Sequence, residues 1–264
     1  MTMQARGSRD TGGGPITLPS AKRKPHNFHA QVIHELGTAI VSGRFGQDQI
    51  LPGDAELTEQ FGVSRTVLRE ALKTLSAKGM VEARARVGTR VLGRARWNMF
   101  DSDVLAWHLE TGLDIGFVDA LAEVRMALEP EAAALAAARR TDQQAERLSH
   151  WLDRMAEPGQ SANQFAVNDF EFHKVIAEAS GNPFMLSLSA VVEVALTASF
   201  AISSPVEGGE AFDRAVRLHR SLCVAIVDRE PEMARAAMRQ AIQSGVDRAH
   251  QALGEGDAAA DHHA

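Results

Sequence analysis

The stretch Leu57–Leu75 limits the possible folds more than any other part of the chain. Leu57, Phe61 and Val63, then Val67, Leu68, Ala71, Leu72 and Leu75, recur at helical spacing, with Gly62 between the two sets. A residue without a Cβ is what a tight turn between two helices needs. The pattern predicts two short helices sharing one core, a helix-turn-helix. Ser64 stands where an N-cap belongs. Ser64, Arg65, Thr66 and Arg69 then fall on the first turns of the second helix, the part a recognition helix presents to the DNA major groove.

The flanks extend this unit. Phe28, Val32, Ile33, Leu36, Ile40 and Val41 have helical spacing, and Ser42-Gly43-Arg44-Phe45-Gly46 ends that helix. Ile50-Leu51-Pro52-Gly53 reads as a connection. After the second helix, Lys78 to Ala83 and Val87 to Leu92 alternate well enough for two short strands with a basic turn between them. This predicts a wing from which Arg84, Arg86 and Arg90 project toward the phosphate backbone or a minor groove. Residues 1–26, with Lys22-Arg23-Lys24, have no period and read as a disordered basic arm.

Charge divides the chain at the same place. The whole sequence holds 28 Lys+Arg and 34 Asp+Glu, a net charge of −6. Residues 1–96 carry 15 and 8 of these, a balance of +7, which leaves 13 and 26, a balance of −13, on residues 97–264. A basic front and an acidic remainder are what a DNA-binding domain joined to a domain of another purpose would show. We therefore place a winged helix-turn-helix at 27–96 and a linker with a short helix, capped by Asp101 or Ser102, at 97–112. An all-helical domain at 113–253 and a disordered tail at 254–264 complete the division.

In the acidic part the periodicity predicts helices at about 115–140, 142–156, 162–180, 183–203, 210–229 and 231–253, with a bend at Pro130. Only 5% of the residues are aromatic, and Ala-rich runs such as Glu131 to Arg140 favour helix. The single cysteine, Cys223, excludes an internal disulfide and reads as a core thiol, compatible with a reducing cytoplasm. No apolar run approaches the roughly 20 residues a membrane span needs. The chain has no internal repeat.

Asp169 and His173 are four apart and so share one helix face, an arrangement that lets a carboxylate and an imidazole grip one metal ion. His219, on a later helix, could complete the set across a bundle. By spacing alone the signal is weak, because such a pair on an amphipathic helix is more often a surface or hydrogen-bonded pair. Histidines 26, 29, 34, 108, 150 and 250 read as surface or packing residues, and His262 and His263 fall in the tail.

These residues carry a resemblance. Leu51-Pro52-Gly53-Asp54-Ala55-Glu56-Leu57 and Val63-Ser64-Arg65-Thr66-Val67-Leu68-Arg69-Glu70-Ala71-Leu72 resemble the winged helix of GntR-family regulators. In the acidic part, Glu123-Val124-Arg125, Glu129-Pro130, Asp169, Phe172-His173, Ser180-Gly181-Asn182-Pro183 and Leu218-His219-Arg220-Ser221-Leu222 resemble the FCD bundle of the FadR subfamily. The boundary segment from Trp97-Asn98 to Trp107 looks most like galactonate-responsive members. The resemblance implies a mainly α protein: a winged helix-turn-helix followed by an all-α antiparallel bundle that binds an effector and forms a homodimer. It makes Ser64, Arg65, Thr66 and Arg69 contacts to operator DNA, supported by the wing, though Ala55 stands where some relatives have a DNA-contacting Arg. It also implies a divalent metal, Zn²⁺ or a similar ion, held by Asp169, His173 and His219, with Ala241 at the fourth ligand position of many relatives.

The expected function is a transcriptional repressor, not an enzyme, whose DNA binding answers to a small carboxylate such as galactonate or another aldonate. Arg125 is the candidate for the effector carboxylate, because an inward guanidinium binds one bidentately. A salt bridge to Glu129 or Glu131 is its alternative. Asn168 is a weaker candidate for a hydroxyl contact. Two rivals stand beside this expectation: the same class of regulator answering to lactate, a hexuronate or a fatty acyl group, and a metal-dependent hydrolase or lyase built on Asp169, His173 and His219.

Overall fold

The computed structural model describes residues 28–112, 115–207 and 209–260. The basic arm and the last four residues, His262 and His263 among them, lie outside these. The protein is mainly helical. Helices α1 (Phe28–Val41), α2 (Asp54–Phe61) and α3 (Arg65–Ala77) precede an antiparallel hairpin, β1 (Val81–Arg84) and β2 (Gly88–Val91), in which Val81 pairs with Val91 and Arg84 with Gly88. Gly62 closes α2 with a φ of 62°, a conformation that side chains with a Cβ rarely adopt. Ser64 Oγ accepts the Val67 N–H at 3.3 Å and starts α3.

The apolar faces meet in one core. Val32, Leu36 and Ile40 of α1, Leu57 of α2, Leu68, Ala71 and Leu75 of α3, and Met80, Val81 and Val91 of the wing are all buried there. The segment before α2 is more than a connection. The Leu51 N–H donates to Thr89 O at 2.8 Å and the Val91 N–H to Gln49 O at 2.9 Å, so Gln49 to Leu51 add a third, irregular strand to the wing. Gln49-Ile50-Leu51 has no polar and apolar alternation, which is why the pairing is illegible in the sequence.

Residues 97–112 form a wall shared by two cores. Asp101 caps α4 (Ser102–Thr111) by accepting the Asp103 and Val104 N–H groups at 3.0 and 3.3 Å. Val104 and Trp107 enter the winged-helix core, while Leu105 packs with Leu121, Val191, Val194 and Ala195 of the acidic part. Trp107 lies flat over Gly37, where a Cβ would come within 2.6 Å of the ring. Lys78, at the end of α3, is buried and reaches Asp101 Oδ1 at 2.6 Å and Asp103 Oδ2 at 2.9 Å.

The acidic part is an all-α bundle: α5 (Ile115–Arg139), α6 (Asp142–Ala156), α7 (Ala162–Ala179), α8 (Pro183–Ser187), α9 (Ser189–Ile202), α10 (Gly209–Val227) and α11 (Pro231–Ala260). α5 runs through a buried Pro130 as one element. The single helix expected across 183–203 is two, divided at Leu188. α11 runs beyond the expected end at 253, because extending an existing helix adds a hydrogen bond per residue and Ala258 to Ala260 favour it. α7 packs against α5, α6 and α9 and is buried on several sides, so Asn168, Asp169 and His173 lie inside along with Phe165, Phe172 and Ile176.

Candidate functional site

Two helices supply the metal-ligand candidates. One turn of α7 places Asp169 and His173 on a common face, and α10 brings His219 opposite them. The ligand atoms of the three lie within 4.8 Å of one another, and all three residues are buried. Asp169 Oδ1 is 2.9 Å from His219 Nε2 and 3.3 Å from His173 Nε2. Helix α5 adds a residue that spacing had suggested only as a partner for Arg125: Glu129 Oε2 is 2.6 Å from His173 Nδ1.

The donor set fits a cation. His219 Nδ1 is 2.8 Å from the Ala215 carbonyl. A carbonyl only accepts, so Nδ1 carries the hydrogen of the neutral ring and the Nε2 lone pair points at a carboxylate oxygen. Two electron-rich atoms 2.9 Å apart repel unless a cation lies between them or the ring takes a second proton. Asp169 Oδ1, His219 Nε2 and His173 Nδ1 all lack an aligned hydrogen bond, although each has an oppositely disposed group within ion-pair distance, as atoms awaiting a shared cation or proton would.

Electrostatics agree. Burial works against a charged His173, but the Glu129 and Asp169 carboxylates outweigh it and its pKa is pushed up to about 9. Burial likewise opposes the ionised form of Glu129, yet Arg125 and His173 draw its pKa down to about 2. Asp169 is held below the ordinary carboxylate range by His219 and His173 against the same burial penalty. Fixed negative charge facing imidazoles is the environment in which a metal displaces protons.

The cluster lines a partly open cavity whose empty space, about 640 Å³, includes open solvent. Ala241 lines it, so the position that would carry a fourth ligand is a methyl group beside open space. Ser199, Ser244 and Arg248 line it too. The Arg248 Nε donates to Ser203 O at 3.0 Å and the guanidinium lies 5.7 Å from the Phe200 ring centre. Among the described residues no carboxylate is within salt-bridge distance of it. Burial lowers its pKa from the ordinary arginine value, against the pull of Asp169. The sequence reading missed Arg248, although Ala241 and Arg248 are seven apart and hence on one helix face.

Two effector candidates stand differently from expectation. Arg125 lines the cavity, but its Nε and Nη2 both meet the Glu129 carboxylate, the alternative considered for it. Asn168 is fully buried and outside the cavity lining. Its Nδ2 donates to Arg154 O and Gln160 Oε1 at 3.2 and 3.1 Å, and its Oδ1 accepts from Gln164 Nε2 at 3.1 Å. The amide is saturated by its own neighbourhood and ties α7 to the turn before it.

On the winged helix, Arg65 and Thr66 are exposed on the first turn of α3. Ser64 uses its hydroxyl as the cap, and Arg69 makes a long, exposed pair with Asp54 at 3.4 Å. Such a pair contributes at most about 1 kcal/mol and is readily exchanged for phosphate. Arg86 occupies the wing tip, exposed, with a φ of 62°. Arg84 pairs with Glu82 at 2.7 Å. Arg90 does not project. Half-buried, it bridges Asp48 at 2.9 Å and Glu82 at 2.6 Å and so clamps the third strand to the hairpin.

Comparison with known proteins gives two matches along the chain: "Bacterial regulatory proteins, gntR family" over residues 28–91 and "FCD domain" over residues 120–244. The galactonate operon transcriptional repressor of Escherichia coli K12 is 31% identical over 219 residues, covering 83% of this chain and 95% of that protein. The uncharacterised regulator YieP of the same organism is 38% identical over 62% of this chain and 73% of its own length. The repressor NanR of Enterobacter sp. strain 638 is 29% identical over 96% of both. Among solved structures, Listeria monocytogenes Lar superposes with a TM-score of 0.61 at 18% identity over 87% of this chain and 99% of that one, and shares the fold.

Proposed function

We propose, for a chain that belongs to the GntR family of bacterial regulatory proteins and carries an FCD domain, that a small polyhydroxylated carboxylate, bound beside a divalent metal ion in the bundle cavity, sets its affinity for operator DNA. The protein is a DNA-binding transcriptional regulator rather than an enzyme, as its relatives are. No described helix is long and apolar enough to cross a membrane. A regulator that reads an operator works in the cytoplasm, and we assign it a homodimer, since two copies of α3 can then occupy two half-sites.

The observation that carries the effector reading is one cavity wall shared by the Asp169, His173 and His219 cluster and by Arg248, a guanidinium with no carboxylate partner among the described residues. A bound Zn²⁺ or similar ion would supply positive charge and an open coordination position there. Asp169, His173 and His219 would hold it, and Ala241 leaves room on its fourth side. Arg248 presents a fork to the effector carboxylate. Ser199 and Ser244 offer hydroxyls to the effector's own hydroxyl groups. Arg125 lines the same wall with its charge compensated by Glu129. At the other end Arg65, Thr66, Arg69 and Arg86 contact DNA, with Arg84 at the wing's flank.

A sugar acid matches this chemistry, and the galactonate operon repressor among the relatives points the same way. Galactonate and related aldonates are expected to raise the melting temperature of the metal-loaded protein and to release it from DNA upstream of its own gene in a gel-shift titration. If they change neither while lactate, a hexuronate or a fatty acid does, the sugar-acid assignment falls and the regulator class remains.

A further inference from the structure

The cluster has a back side that the effector reading does not use. Each histidine ring has two nitrogens, and only one can face the cavity. For His219 the choice is made by its own helix: the Ala215 carbonyl, four residues earlier, holds Nδ1 and leaves Nε2 toward Asp169. His173 has no such carbonyl at its Nδ1. Across from it on α5 stands Glu129, whose Oε2 is 2.6 Å from Nδ1, within ion-pair distance but not aligned as a hydrogen bond.

Glu129 is itself held. Arg125, one turn earlier on α5, meets Oε1 through Nε and Oε2 through Nη2, so the carboxylate plane is set from one side by a guanidinium fork and aimed on the other at His173. All three side chains are at least nine-tenths buried.

We propose that Glu129 is a positioning residue of the metal site: its carboxylate, fixed by Arg125, holds hydrogen on His173 Nδ1 and turns the Nε2 lone pair toward Asp169 Oδ1 and His219 Nε2. The inference rests on the metal reading given above. Carboxylates behind metal-bound imidazoles characteristically fix the tautomer and raise ligand basicity, and losing one lowers metal affinity about 10- to 100-fold.

The test is a Co²⁺ titration of the chelator-stripped, full-length protein. It is followed by the visible absorption of the ion and by competition with a chelator of known affinity. Wild type is expected to give the spectrum of a nitrogen and oxygen site. Glu129→Gln should weaken binding by about 10- to 100-fold and change the band positions. Glu131→Gln, exposed on the same helix and paired with Arg235, should change neither. Because Glu129→Gln leaves buried Arg125 short of a charge partner and could disturb folding, the double variant Arg125→Met/Glu129→Met provides a second test. Replacing a buried ion pair with apolar side chains of similar volume is often neutral or stabilising, so this variant should keep its helical circular dichroism and still bind Co²⁺ weakly. An affinity and spectrum matching wild type in either folded variant overturn the positioning role while leaving the metal site standing. Absence of Co²⁺ and Zn²⁺ binding in wild type overturns the metal reading and this inference with it.

Discussion

At the scale of single residues the cavity separates two arginines by what else they touch. Arg125 is tied to Glu129, whereas Arg248 meets a carbonyl and an aromatic face. A charge-assisted hydrogen-bonded pair contributes about 1.5–3 kcal/mol, which is about 10- to 100-fold in affinity. Arg248→Met should therefore weaken the response to an aldonate by that factor in a gel-shift release assay, with Co²⁺ affinity unchanged. An unaltered response would remove Arg248 from the effector site. Ala241 makes the converse case. Ala241→His would offer a fourth nitrogen to the cluster, so metal binding should tighten while the effector loses its open coordination position. Tighter Co²⁺ binding with the aldonate response abolished is the expected pair of results.

Among the elements α4 has the most to do. Ten residues long, it gives Val104 and Trp107 to one core and Leu105 to another, and its capping Asp101 is held by Lys78 from the end of α3. Packed side chains thus run from Leu121 and Val191 of the bundle through α4 into the core that holds α3. Trp107 is only 3% exposed and Gly37 exists beneath it without a Cβ. Trp107→Ala should cost about 3–5 kcal/mol and divide thermal unfolding into two transitions by calorimetry, the winged helix melting first. A single transition at the wild-type temperature would show that α4 does not join the two cores energetically. Neither the shared wall nor the wing's third strand is legible in the sequence. An amphipathic helix announces that it has an apolar face; α4 has apolar residues on two, and no periodicity says which neighbour takes each.

At the scale of the whole molecule, charge is distributed by task. The basic front carries exposed Arg65, Arg69 and Arg86 on one end, and the acidic bundle follows. Binding that neutralises phosphates must weaken with salt, by about 10³- to 10⁵-fold between 50 and 200 mM where roughly six to ten phosphates are neutralised. Arg65→Ala should lower operator affinity and reduce the salt slope by about one for each phosphate that Arg65 neutralises. A gel-shift titration across salt concentrations checks both, and an unchanged slope would place Arg65 away from the DNA backbone. Its effect on bundle stability should be nil, since the side chain is exposed.

The sequence by itself determined the class and order of the parts. Helical periodicity and Gly62 specify the helix-turn-helix, alternation specifies the wing, and the i, i+4 pair of Asp169 and His173 specifies one face of a site. All of these are local, because backbone geometry repeats over a few residues and leaves its period in the side chains. What only the tertiary structure decided is which distant residues share a space. It joined His219 to Asp169, put Glu129 behind His173, used up Arg125, Arg90 and Asn168 in internal contacts, and left Arg248 facing the cavity. Those outcomes depend on how helices far apart in sequence pack against one another. A hydrogen-bonding group discloses its chemistry in the sequence, but its partner is chosen only when the core closes around it.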